Sequence, residues 1–361
     1  MVFDISDTLM ARSITFGYSN ARVKAMRLAF LDREMVNKMV NAGLLPEVVN
    51  LLERTGYGED LSKEALGRKG ADLIDLALGA NMARTCRKLL RITPEEAKGT
   101  VSALFEKWDV YNLKTLLLAK HLGHEEKEIE PLLVPAGRFG QKELKRMLGK
   151  KNVEELVSLL RLTEYGPALS NLLPVYKKSG RVAPLLSALE MQFYKNITGK
   201  ISSTYQDERV VRSLIKSDID IHNIMNVLRS KRDRAGAEEI EALIIEGGNL
   251  RPDELRSLIE AKNVEEAISL IKGRYNLEPA LAEYGSNNSL VPFEIMLERE
   301  LVEKGLKAFL RSCLSVGVIV GFFYLKETEI NNIRKILRAK EFEIPPDELK
   351  RSIIVVKGRG G

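Results

Sequence analysis

The three histidines and two cysteines are the residues that could hold a metal or act as activated nucleophiles. His121 and His124 stand three apart, a spacing that could put two ligands on one helix face. Gly123 interrupts them, no third His or Cys accompanies them, and a charge run follows, so the pair reads as a polar helix end. Cys86 and Cys313 are far apart with no CxxC spacing, which speaks against a disulfide framework or a zinc site and fits a reducing compartment. A Cys–His or Ser–His nucleophile would need long-range assembly that nothing in the sequence suggests. GRFGQK at Gly137 lacks the spacing that sets a phosphate-loop lysine, and GxGxxG after a strand, GxSxG and HExxH are all missing. Carboxylates are abundant but alternate with Lys and Arg at helical spacing, as between Glu298 and Lys307, which is ordinary surface pairing. The expectation is no catalytic residue, no metal and no cofactor.

With chemistry set aside, the elements themselves become the signal. The 361 residues are 45% hydrophobic, 29% charged and only 6% aromatic, a mixture rich in unbranched helix formers. The formal net charge is +6, yet 56 basic residues are interspersed with 50 acidic ones, so a solvated mixed-charge surface is expected and nucleic-acid binding is not. The most apolar run, Ser312 to Leu325, is too short for a spanning helix, which needs roughly twenty residues. It reads as a buried core segment, and no transmembrane segment is expected. The GRGG tail at Gly358 to Gly361 is expected to be disordered.

One twelve-residue pattern occurs three times: DVYNLKTLLLAK from Asp109 to Lys120, DIHNIMNVLRSK from Asp220 to Lys231, and EINNIRKILRAK from Glu329 to Lys340. Each copy has an acid first (Asp109, Asp220, Glu329), Asn fourth (Asn112, Asn223, Asn332) and Lys last (Lys120, Lys231, Lys340). Val110, Leu113, Leu116 and Leu117 trace one helix face in the first copy. Asn inside a helix competes for backbone hydrogen bonds, so its recurrence predicts a side-chain bond to a neighbouring loop or helix.

A second segment, Leu144 to Leu169, matches Leu255 to Leu281 through a shared KNVEE step and a turn tyrosine, Tyr165 or Tyr275. Leu44 to Leu61 matches the end of the first, including Tyr57-Gly58 against Tyr165-Gly166. These turns read as helix stops, with the glycines free to adopt the left-handed conformation. Pro184 and Pro292 open a third matching segment as helix starts. Near the C-terminus PPDELKRSI resembles RPDELRSLI. The N-terminal repeat therefore lacks its motif helix, whereas the C-terminal stretch has one and then ends. The expected fold is all-α, with three similar helical subdomains: 1–108 completed by 329–361, 109–219 and 220–328.

YSNARVKAMR (Tyr18 to Arg27), LLERTGYGEDL, the Asp109 helix and FYLKETEINNIRKILRAK together resemble the C-type subunit of archaeal A-type and bacterial V-type rotary ATPases, over about residues 5 to 355. Lys326, Glu327, Glu329, Asn332, Arg334 and Lys340 fall where that family's C-terminal pattern has the same residue types. One departure is Leu118, where the other copies have Arg229 and Arg338. The resemblance implies a pseudo-threefold, funnel-shaped arrangement. It implies a non-catalytic rotor subunit, monomeric in isolation, that joins the central shaft subunits (D and F type) to the membrane proteolipid ring. Such a protein would be peripheral, at the cytoplasmic face of the cell membrane. Val316 to Phe323 and the basic residues near the motif helices are candidate ring-facing surfaces. A helical-repeat scaffold that binds other proteins is the alternative reading.

Overall fold

The computed structural model describes residues 5–66, 68–201 and 208–355, and among these the regular structure is helical, with no strand. The Gly358–Gly361 tail lies outside the described residues. The chain opens with α1 (Ile5–Met26), α2 (Arg33–Asn41), α3 (Leu45–Glu53), α4 (Gly58–Glu64), α5 (Gly70–Ile92) and α6 (Glu95–Leu122). It continues with α7 (Glu126–Ile129), α8 (Gln141–Leu148), α9 (Val153–Leu160), α10 (Gly166–Ser179), α11 (Ala183–Lys200) and α12 (Glu208–Arg232). Then follow α13 (Ala237–Glu241), α14 (Pro252–Glu260), α15 (Val264–Ile271), α16 (Glu278–Asn287), α17 (Val291–Arg311), α18 (Val316–Glu341) and α19 (Pro346–Ser352).

The order is periodic. A long motif helix (α6, α12, α18) precedes a short one (α7, α13, α19), and each short helix begins fourteen residues after its motif Asn. A helical hairpin follows in α8–α9 and α14–α15, and α2–α3 is the same hairpin at the N-terminus. PPDELKRSI forms α19 and so stands in the place of α13, whereas RPDELRSLI forms α14. The likeness of those two strings reflects helix-start chemistry, proline in the first turn followed by acids, and not equivalent position.

Local sequence explains the hairpins. Asn152 and Asn263, the asparagines of the two KNVEE steps, are N-caps whose side chains accept the Glu155 and Glu266 amides at 2.9 Å. Those glutamates turn back to accept the amides of Lys151 (3.2 Å) and Lys262 (2.6 Å), and Glu47 does the same for Gly43 at 2.9 Å. Pro184 and Pro292 are the second residues of α11 and α17, where a missing N–H costs nothing.

The left-handed conformation is not what Gly58 and Gly166 adopt; both open the next helix with negative φ. The physical reason for glycine is close approach. A Cβ on Gly58 would sit 2.2 Å from the Glu53 carbonyl oxygen, and one on Gly166 would sit 2.4 Å from that of Arg161.

Contacts divide the chain into two compact units, Met1–Leu189 with Gly305–Gly361, and Glu190–Lys304. In the first, Ser315 to Leu325 is wholly buried, so Val316 to Phe323 is core and offers no free face to a partner. Asn20 of α1 ties down the start of α18, donating to the Ser315 carbonyl and accepting its amide, both at 3.0 Å. In the second unit Ile224, Leu228, Ile268, Phe293 and Leu297 belong to one apolar core.

Candidate functional site

The motif residues do the same three jobs in all three copies. Asn112 donates to the Val134 carbonyl at 2.7 Å and accepts the Val134 amide at 2.8 Å. Asn223 brackets Ile245 (2.8 and 2.8 Å), and Asn332 brackets Ile354 (2.8 and 3.1 Å), each across the same 22-residue separation. All three asparagines are buried, and only a side-chain amide can both donate and accept in this geometry. The bracket satisfies backbone groups that the loop after the long helix would otherwise bury unpaired.

The acid holds the loop that leads into the hairpin. Asp109 accepts the amides of Arg138 (2.8 Å) and Phe139 (3.0 Å), and Asp220 accepts those of Asn249 (2.8 Å) and Leu250 (3.0 Å). Gly137 and Gly248 make this approach possible, because a Cβ on either would lie 2.2 Å from the carboxylate. The third acid is Glu329, which accepts the Leu31 amide at 2.6 Å. Ala29 stands where the other loops have glycine.

The lysine closes the far end. Lys120 Nζ donates to the Leu148 carbonyl at 2.5 Å, Lys231 to that of Ile259, and Lys340 to that of Val40 at 2.7 Å. Each acceptor lies in the last turn of the hairpin's first helix, where carbonyls have no intrahelical partner and a cation suits the dipole. Burial lowers the pKa of Lys231 and Lys340. From acid-bound amide to lysine-bound carbonyl the step is the same: Phe139 to Leu148, Leu250 to Ile259, Leu31 to Val40.

The turn tyrosines converge on the same acids. Tyr57 donates to Glu329 Oε1 at 2.7 Å, and the buried Lys326 Nζ reaches Tyr57 Oη (2.8 Å) and Glu329 Oε1 (2.9 Å). Burial and the Glu329 charge hold the Tyr57 hydroxyl far above its usual pKa, while burial lowers that of Lys326. Tyr275 is buried beside Asp220, and burial together with the Asp220 charge raises its hydroxyl pKa. Tyr165 is buried beside Asp109, but its hydroxyl has no hydrogen-bond partner. Burial raises the Asp109 carboxyl to about 6, against the lowering effect of its two amide donors.

The departure at Leu118 has a structural counterpart. Arg338 Nη2 pairs with Asp75 at 2.5 Å and Arg229 pairs with Glu294 at 3.4 Å. With Pro184 set against Pro292, Leu186 takes the position of Glu294 in the first copy, so both members of the ion pair are gone. Sequence reading missed Leu31, Val40 and Asp75 as partners, and it missed Gly137 and Gly248, whose matched spacing from Asp109 and Asp220 was the available signal. His121 and His124 lie at and just beyond the end of α6, where His121 meets Tyr176 Oη at 3.2 Å. Among the described residues no group of three His, Cys, Asp or Glu could hold a metal, and no helix is long and apolar enough to cross a membrane.

These buried groups tie backbone to backbone. A family model described as ATP synthase (C/AC39) subunit matches residues 19–352. The chain belongs to that family. It is similar to the C-type subunit of the A-type ATP synthase of Methanocaldococcus jannaschii, 29% identical over 343 residues that cover 94% of this chain and 86% of the relative. The same subunit of Haloferax volcanii is 31% identical over 345 residues (94% and 97%) and that of Thermoplasma acidophilum 27% over 352 (95% and 99%). For this ATP synthase subunit, the thrice-repeated bracket lies inside the matched region, apart from Ile354 just past its end.

Proposed function

We propose that the chain is a non-catalytic central-stalk subunit of an A/V-type rotary ATP synthase, joining shaft subunits of D and F type to the proteolipid ring. The observation that carries this reading is the family match across residues 19–352. In this role the subunit turns with both neighbours, transmits torque and sits peripherally at the cytoplasmic face of the cell membrane.

The brackets support the reading mechanically. A coupling part must be stiff, and each long helix is pinned to its hairpin by an acid, an amide and a lysine. The equivalences also support a three-part division, 1–108 completed by 329–361, 109–219 and 220–328, closed into a pseudo-threefold funnel. Its first part is assembled from both ends of the chain, through Leu31–Glu329 and Val40–Lys340.

The test is capture at low salt. The purified chain, a monomer in isolation, is mixed with the D and F type subunits and, separately, with the detergent-solubilised ring. Retention by both, with no ATP hydrolysis by the chain alone, is expected. Failure to bind either sinks the proposal.

A further inference from the structure

The three hairpins are alike in backbone and unlike in charge. Residues 32–43 carry two cations and two carboxylates, and residues 251–262 carry three of each. Several of these are paired within the hairpin, as Lys38 with Glu34 (2.6 Å) and Arg251 with Asp253 (3.3 Å) and Glu254 (3.4 Å). Residues 140–151 instead carry Lys142, Lys145, Arg146, Lys150 and Lys151 against the single Glu143, a net +4. None of the five forms an ion pair among the described residues, and all are exposed except the half-buried Lys150.

Geometry gathers them. Lys142, Lys145 and Arg146 stand at i, i+3 and i+4 on α8, opposite the buried Leu144, Met147 and Leu148, and Lys150 and Lys151 fill the turn to α9. The Lys120–Leu148 bond sets the last turn of α6 against this end of the hairpin. That turn carries Leu122, 60% exposed, and Leu118 before it is 41% exposed where the sibling helices carry ion-paired arginines. This repeat therefore sets a net excess of unpaired cations beside exposed leucines at the end of its motif helix.

We propose that the α8–α9 hairpin and the end of α6 dock onto the anionic headgroups of a lipid bilayer. Four of the five cations are lysines, mobile point charges suited to a diffuse anionic surface; an acidic peptide would favour the planar arginine fork. Clusters of four to eight basic side chains beside apolar ones are what such a surface retains. The proposal rests on the peripheral reading above only for where a bilayer would be met.

The test is sedimentation of the full chain with phosphatidylcholine vesicles and with vesicles that also contain phosphatidylglycerol. Binding is expected only to the latter and should weaken steeply with salt. K142Q/K145Q/R146Q/K150Q/K151Q should lower the partition at least ~100-fold. R251Q/R256Q/K262Q, within residues 251–262, should leave it within about threefold, since that stretch has no excess charge. Circular dichroism checks that both variants fold. No preference for the anionic vesicles, equal loss in both variants, or no loss in the first overturns the proposal. So does retention on polyglutamate without vesicle binding, which would assign the surface to an acidic polypeptide. Capture by the D and F type subunits, measured on the same five-site variant, separates failure here from failure of the rotor reading.

Discussion

Lys340 Nζ donates to the Val40 carbonyl at 2.7 Å across 300 residues of sequence. The bond caps α2 with a cation that arrives from the other end of the chain. Lys340→Met should cost about 1.5–3 kcal/mol, the scale of a hydrogen bond from a charged donor. Its signature is faster amide exchange in α2 together with a lower urea midpoint. Unchanged exchange in α2 would mean the cap contributes nothing.

The asparagine brackets should tolerate no substitution. Aspartate keeps the shape of Asn112, Asn223 or Asn332 but loses the donor and sets a carboxylate against a carbonyl. Each Asn→Asp change should destabilise by ~3 kcal/mol or more at neutral pH, and Asn→Ala by about 2–4 kcal/mol, because a backbone pair is left buried and unpaired. Denaturant unfolding of the variants measures it; a loss under about half a kcal/mol at Asn112 would contradict the bracket's structural role.

Two tyrosines at equivalent turns should respond in opposite ways. Tyr57 donates to Glu329 and accepts from Lys326, so Tyr57→Phe strips a buried network and should cost about 2 kcal/mol. Tyr165 has an unpartnered hydroxyl, so Tyr165→Phe removes a desolvation penalty and should be neutral or stabilising. Melting temperatures of the pair, read side by side, settle the contrast.

Asp109 gives the fold a pH dependence of definite sign. Its carboxyl is raised to about 6 from 3.8, so the folded chain holds this proton more tightly than the unfolded one. The stabilisation is complete below pH 3.8 and is lost as pH rises through about 6, a swing of ~3 kcal/mol for a shift of this size. Stability curves for wild type and Asp109→Asn should differ in slope across that window and run parallel above it. Parallel curves throughout would assign the titration to other groups.

Much of the fold could be read from residues alone, for identifiable reasons. The motif helices announce themselves because acid, Asn and Lys recur at fixed spacing, and KNVEE recurs because Asn caps and Glu turns back. The partners were harder to see. Leu31 and Val40 contribute only backbone groups, which carry no residue signature, and Asp75 meets Arg338 through a fold, not a spacing. The glycines were misread because Gly58 and Gly166 sit at helix junctions, where left-handed turns and close approaches favour the same residue. The PDEL likeness misled because helix starts resemble one another wherever they occur.

The bond between Glu329 and the Leu31 amide also orders events in time. A ribosome makes the α2–α3 hairpin long before α18, so that hairpin waits through all the intervening helices without the acid and lysine that hold it. The α8–α9 hairpin, by contrast, follows directly on its own helix and can settle at once. Nascent chains stalled short of α18 should therefore expose the first hairpin to chaperones and proteases while the middle of the molecule is already shut.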